Sequence, residues 1–352
     1  MSDPLTPRPL AVSARPLAVS ARPLAVSLGD PAGVGPELLA AAWVSRAPRR
    51  VPCFFAVGGA SLLREAARQR GLDLPIRAIA HPDEAEACFE TALPVLSEMD
   101  MAYAPGAPCR RGAELALASL TEATRLAVAG AASGVVTGPI AKSLLAQVGF
   151  VHPGQTEFVA QACGVAEADA VMMLAGPSLR TVPITVHMAL AQVSRTLSIE
   201  LILRRARIAA EALVRDFGIA APRVAVAALN PHAGEAGRMG EEEILIIAPA
   251  IAQLRAEGID ASGPHAADAL FAPRTRVNYD LALCMYHDQA LIPLKTLDFD
   301  AGVNVTLGLP IIRTSADHGT AFAIAGKGLA DPGATIAALR MAGECAARRA
   351  AG

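Results

Sequence analysis

Short apolar runs alternate along the chain with longer stretches of helical periodicity. The runs 53–57 (CFFAV), 134–137 (GVVT), 170–174 (AVMML), 181–186 (TVPITV), 223–229 (RVAVAAL) and 281–285 (LALCM) predict strands. The stretches 36–46, 60–70, 113–129, 198–216, 240–256 and 333–349 predict helices. Ser198 is placed to cap the fourth, with Glu200 in its first turn. Glu241, Glu242 and Glu243 open the fifth, where the helix dipole favours negative charge, and Pro249 is expected to kink or split it. Leu24–Ser27 reads as the first strand, and a glycine-rich turn then leads to Pro36 at the first helical position. Alternating strand and helix argues for an α/β fold with largely parallel sheets, in which ligands gather where strands end and loops begin.

Before this pattern starts, R-P-L-A-V-S is repeated at 8–13, 15–20 and 22–27, with a seven-residue period. Only the third copy runs on into the glycine-rich turn. Residues 1–21 therefore read as a duplicated, flexible leader, its prolines limiting ladder pairing.

Composition narrows the function. Apolar residues make up 53% of the 352, enough for a large core, and the formal net charge is only −2. One Trp and three Tyr offer no base-stacking platform, so neither nucleic acid nor an acidic membrane surface is expected as a partner. The longest uncharged run, 126–141, is too short to span a membrane and reads as a helix end leading into a buried strand. The N-terminus lacks the apolar core of a signal peptide, and six cysteines without a C-x-x-C pair suit buried thiols in the cytoplasm.

Three histidines stand in similar settings just past predicted strands: His187 after 181–186, His232 in L-N-P-H-A-G-E, and His287 in Y-H-D-Q. Neutral imidazole is a common ligand for zinc and similar ions, and three of them leave an open coordination position. The turn G-D-P-A-G-V-G-P-E at 29–37 matches neither a dinucleotide fingerprint nor a P-loop and reads as a structural turn. At T-G-P-I-A-K (137–142) a strand meets a helix start, where backbone N–H groups and Lys142 can hold an anion. Thr156, in H-P-G-Q-T-E, is placed either to cap a helix or to touch a ligand. Lys295, Asn304 and Arg313 supply a point charge, an amide and a two-pronged cation. The glycine-bounded stretch D-H-G-T-A-F-A-I-A-G-K-G (317–328) is a loop that a nucleotide can approach closely.

From about Leu24 to the C-terminus, these motifs together with G-V-N-V-T-L-G-L-P-I-I-R-T-S (302–315) resemble the 4-hydroxythreonine-4-phosphate dehydrogenase family of pyridoxine biosynthesis. The resemblance implies two α/β/α domains with a cleft between them, isocitrate/isopropylmalate dehydrogenase-like. Residues 22–132 plus 305–352 would form one, and 133–304 the other, carrying the metal ligands and the dimer interface. It implies a homodimer with shared active sites, in which His187, His232 and His287 bind one divalent ion (Zn, Mg or Co), with His287 from the partner chain. Gln155, Thr156, Lys295, Asn304 and Arg313 would bind a small phosphorylated substrate. Gly302, His318, Gly319 and Gly326 would meet NAD or NADP, and Lys295 or Asp288 would move the hydroxyl proton. The expected reaction is oxidation at C3 followed by decarboxylation. The sister reading is a related dehydrogenase acting on a phosphorylated sugar acid, such as threonate or erythronate 4-phosphate, or on an aromatic cis-dihydrodiol carboxylate. This chain departs from the family pattern at Gln155, where G-H-T-E carries His, and at Ala323, where many relatives carry an acidic residue.

Overall fold

The computed structural model describes residues 22–96 and 98–351, so the expected leader lies outside the described residues. Twelve strands are formed: β1 (Leu24–Ser27), β2 (Phe54–Val57), β3 (Ile76–Ile79), β4 (Leu93–Leu96), β5 (Val135–Thr137), β6 (Val171–Ala175), β7 (Arg180–Pro183), β8 (Arg223–Ala227), β9 (Asp260–His265), β10 (Leu281–Cys284), β11 (Val303–Leu307) and β12 (Arg313–Ala316). The longer helices are α1 (Gly35–Val44), α2 (Ala60–Gln69), α3 (Arg110–Val128), α4 (Gln155–Ala162), α5 (Ile199–Arg215), α6 (Ala248–Ala256), α7 (His287–Asp298) and α8 (Gly333–Ala351).

The chain divides into two compact units, residues 171–308 and, of those described, residues 22–170 with 309–351. Residues 133–170, expected with the metal ligands, lie instead with the first strands. The reason is pairing: β5 sits between β1 and β12, and Phe158 of α4 packs with Ala113, Ala116 and Leu120 of α3.

In the unit that contains β1, six parallel strands run in the order β3-β4-β2-β1-β5-β12. The chain steps outward from β1 in both directions, so β1 and β5 flank a topological switch point, where loops diverge and leave room for a ligand. All four residues of β1 and of β2 are buried, as strands covered on both faces require. Helix α3 buries Ala113, Ala116, Leu120, Ala123 and Ala127, a stripe at helical spacing. Its buried Ser119 accepts from the Leu28 N–H at 3.0 Å and donates to the Val57 carbonyl at 2.7 Å, tying the ends of β1 and β2 together.

In residues 171–308 the order is β11-β6-β7-β10-β8-β9. Here β6 runs antiparallel to both neighbours, whereas β7, β10, β8 and β9 are parallel. Ser198 caps α5 by accepting from the Leu201 N–H at 3.1 Å, as its position predicts. The stretch 240–256 is split as Pro249 requires, into one π-helical turn (Glu243–Ile247) followed by α6, whose first turn holds the proline. No helix among the described residues is long and apolar enough to cross a membrane.

Candidate active site

In residues 171–308 the chemistry collects at the carboxyl ends of β7, β10 and β8. Parallel pairing puts Pro183 level with Cys284. Beyond that pair, the Ile184 N–H donates to the Cys284 carbonyl at 2.7 Å, and the Thr185 hydroxyl to the Met285 carbonyl at 2.8 Å. His187 follows, with φ of +48°, and His287 opens α7. Their ring centroids are 5.9 Å apart. Both rings line a cavity of about 300 Å³ together with Thr185, Tyr286, Asp288 and Leu190.

Asp288 lies 2.7 Å from His287 Nδ1. A carboxylate there accepts a hydrogen bond from Nδ1–H, which favours the tautomer whose Nε2 lone pair is open to a cation. Gln289, the last residue of Y-H-D-Q, is buried; its Oε1 accepts from the Met285 N–H at 2.6 Å and its Nε2 donates to the Ala228 carbonyl at 2.8 Å. It thereby joins the segment before His287 to the one before His232. The sequence reading missed Gln289, because an amide at one helical position carries no local signal of the two backbone groups it will meet.

His232 sits in an unusual turn. Five consecutive residues, His232 to Ala236, have φ between +43° and +74°, four of them not glycine. A buried carboxylate holds the start of this left-handed stretch: Glu243 accepts from the Leu229 and Asn230 N–H groups, both at 2.8 Å, and from Asn230 Nδ2 at 2.9 Å. From sequence Glu243 was only a dipole-favoured helix start. Among the described residues no three His, Cys, Asp or Glu side chains are grouped to hold one ion. The chain thus places three imidazoles on neighbouring strand ends without closing a full ligand set.

Three further candidates lie in this unit. Lys295 is on α7, about 12 Å along the helix axis from His287 at the usual rise. Asn304, on β11 opposite Leu174, has a buried Oδ1 that meets no hydrogen-bond donor among the described residues. Gly302, expected near the nucleotide, packs against α7: an added Cβ would come within 3.2 Å of Leu294 Cδ2.

In the unit containing β1, Arg313 opens β12 and is buried. Its Nη2 donates to Thr137 Oγ1 at 2.8 Å. Burial pulls the guanidinium down to about 10, and the nearby Glu157 carboxylate opposes that shift. Gln155 begins α4, and its Nε2 donates to the Gly138 carbonyl at 3.1 Å. Its Oε1 is buried and accepts no hydrogen bond from the described residues. Thr156 follows in the first turn; Gly154 is the cap residue and no side chain caps this helix, so the capping alternative for Thr156 is not realised. A Cβ on Gly154 would lie 3.0 Å from Glu157 Oε2 and 3.5 Å from Lys142 Nζ, which puts both charges at the entry to α4. Arg313, Thr137, Gln155 and Glu157 therefore surround the end of β5.

Within the stretch 317–328, residues 318–321 are irregular and residues 322–328 form consecutive turns. His318 Nδ1 is 3.0 Å from the Gly319 carbonyl oxygen, and its Nε2 is buried with no partner among the described residues. Gly319 faces open space, whereas Gly326 packs on Pro105.

Comparisons with known proteins identify the family. A family model described as pyridoxal phosphate biosynthetic protein PdxA matches residues 50–342. A 4-hydroxythreonine-4-phosphate dehydrogenase of Erythrobacter litoralis is 64% identical over 324 residues, covering 92% of this chain and 96% of the relative. The crystal structure of a 4-hydroxythreonine-4-phosphate dehydrogenase from Klebsiella pneumoniae superposes with a TM-score of 0.83 at 38% identity, covering 94% of this chain and 99% of that one. A terephthalate 1,2-cis-dihydrodioldehydrogenase from Burkholderia xenovorans is further away, with a TM-score of 0.62 at 31% identity, covering 91% and 97%. By its sequence over residues 50–342 and by its α/β fold, the chain belongs to the PdxA family of pyridoxal phosphate biosynthetic proteins.

Proposed function

We propose that the chain is a metal-dependent, NAD(P)-linked oxidoreductase that oxidises 4-phosphohydroxy-L-threonine at C3. Loss of CO2 then leaves 3-amino-2-oxopropyl phosphate on the route to pyridoxal phosphate. The observation that carries this reading is the set of imidazoles at the ends of β7, β10 and β8, with Asp288 setting the tautomer of His287. His187, His232 and His287 are donors suited to one ion such as zinc, cobalt or magnesium, zinc and cobalt being the better match to nitrogen ligands. When bound, the cation stabilises negative charge on the C3 oxygen and the nicotinamide accepts the hydride.

The chain's own residues supply the rest. Arg313, already held by Thr137, presents a fixed cation to an anionic group of the substrate. Gln155 offers an acceptor to a hydroxyl or ammonium, Thr156 a hydroxyl, and Asn304 an amide. Asp288 is engaged with His287, which leaves Lys295 as the group to move the C3 hydroxyl proton. After oxidation the bond from C2 to the carboxylate breaks, CO2 departs, and C2 takes a proton.

We read the active form as a homodimer of the reducing cytoplasm, where six free thiols are stable. Leu190 lines the imidazole cavity and is 67% exposed, and Ile292 and Phe299, on α7 and just beyond it, are 63% and 74% exposed. Apolar side chains left open at the imidazole cavity and along α7 suit a second copy that covers them. The test is NADH or NADPH formation with 4-phosphohydroxythreonine before and after chelation, with a cis-dihydrodiol carboxylate assayed alongside. Turnover of the phosphorylated substrate that is lost on chelation and restored by added ion is expected. Absence of turnover with either nucleotide, from protein that binds the ion, overturns the substrate assignment.

A further inference from the structure

The motif G-D-P-A-G-V-G-P-E, read from sequence as a structural turn, has a specific occupant in the fold. It leaves β1 as the stretch 317–330 leaves β12, in the same unit. The Val34 N–H donates to the Thr320 carbonyl at 2.9 Å. Gly33 has no side chain because Thr320 fills that space: a Cβ would lie 2.7 Å from the Thr320 carbonyl oxygen and 3.1 Å from its Cβ. Further along, Val34 and Leu38 form a buried apolar cluster with Ala325 and Ala330, and Ile324 packs against it.

A pair of charges closes the arrangement. Glu37, on α1, is 1% exposed, and its Oε2 lies 3.6 Å from Nη1 of Arg70, just past the end of α2. The other end of the same guanidinium donates through Nη2 to the Ala330 carbonyl at 2.7 Å. The Tyr103 hydroxyl is buried beside Glu37, and burial with the carboxylate's charge pushes it up to about 12. Gly326, with φ of +72°, lets the loop lie directly on Pro105, where a Cβ would approach to 2.5 Å. A buried carboxylate is retained at a cost in solvation, and here its partner also grips the loop backbone.

We propose that Glu37 and Arg70 are positioning residues for nicotinamide-nucleotide binding: the 29–37 motif is the platform for the 317–330 loop, and Arg70, held by Glu37, clamps the loop at Ala330. The proposal rests on the reading that residues 317–328 take the nucleotide. It gives the chain's most prominent glycine motif a part in shaping the cofactor loop.

The experiment uses the full-length protein with NAD(H) and NADP(H). Nucleotide affinity is measured by calorimetry, and exchange of the Ile324, Ala325 and Lys327 amides, each hydrogen-bonded within the loop, by hydrogen–deuterium exchange. In Arg70→Met the loop amides exchange faster and nucleotide Kd and KM rise about tenfold, as loss of one charge-assisted hydrogen bond implies. At saturating nucleotide kcat stays within about twofold and exchange returns to the wild-type rate. Arg70→Lys, which keeps the charge but cannot span both partners, falls between the two. Glu37→Gln gives the same direction with a smaller effect, so the question remains answerable if Arg70→Met does not fold. Wild-type nucleotide affinity in Arg70→Met or in both other variants overturns the proposal. If the unmutated chain binds nucleotide without protecting residues 317–330, the reading of the loop fails first, and with it the clamp.

Discussion

The amide of Gln155 can point in only one direction. Its partner is the Gly138 carbonyl, an acceptor, so Nε2 must face it and Oε1 must face away. Where the family pattern carries an imidazole able to donate, this chain presents a buried acceptor. On the proposed substrate contact, the group that meets Oε1 is a donor. Gln155→Leu is expected to raise the substrate KM about tenfold, since it removes that acceptor and leaves the Gly138 carbonyl without its donor. Steady-state kinetics with KM and kcat separated checks this, and an unchanged KM would remove Gln155 from the substrate contacts. A second residue-scale expectation concerns Asp30, which is buried and raised above the usual carboxylate range, the Ala32 N–H at 3.0 Å only partly offsetting burial. The folded state holds this proton more tightly than the unfolded chain does. Stability linked to Asp30 is therefore intact below about pH 3.9 and is lost as pH rises through the folded-state value. Asp30→Asn keeps an acceptor for Ala32 and cannot ionise. Its thermal midpoint should exceed the wild-type one at pH 8, and the gap should close near pH 4.

At the scale of elements, the turn that carries His232 is the least ordinary piece of backbone. Four non-glycine residues at positive φ are costly, and the surroundings must fix them. Glu243 does so with three accepted hydrogen bonds from the residues just before the turn. Glu243→Gln turns an amide nitrogen toward one of those donors. It is expected to cost about 2 kcal/mol in urea unfolding, because the group is buried and charged. Metal affinity should fall with it, measurable by titration of Co2+ absorbance; a variant of unchanged stability would show that the turn is held by something else. None of this was legible in the sequence, where L-N-P-H-A-G-E gave a loop and a histidine but no handedness. What was legible is local. Strands β2, β8 and β10 announce themselves as buried apolar runs, Ser198 as a cap, and Pro249 as a break. Strand β3 was missed because it is a mostly exposed edge, IRAI, and β9 because DASGPH carries both Gly and Pro. The histidines were found because each follows a run that pairing makes parallel. Arg313 meeting Thr137, 176 residues away, depends on β12 choosing β5 as its neighbour, which periodicity does not encode.

At the scale of the whole molecule, one chain leaves its imidazoles in an incomplete set, and the proposed second copy completes it. That arrangement makes a quantitative demand. If His187 and His232 come from one chain and His287 from the other, a dimer of one His187→Ala chain and one His287→Ala chain has one site with both defects and one with none. Random pairing of equal amounts makes half of all dimers mixed. Two inactive proteins, dissociated and reassociated together, should thus recover about a quarter of wild-type activity, by the same isologous symmetry that makes the two sites equivalent. Each variant reassociated alone should recover nothing, and light scattering should show the dimer throughout. The 5.9 Å separation of His187 and His287 within one chain frames the opposite outcome. If those two act from the same chain, their mixture stays inactive, whereas His187→Ala with His232→Ala regains the quarter. Failure of both mixtures, with dimers confirmed, would mean that each chain closes its own site and that the exposed Leu190 beside it serves packing alone.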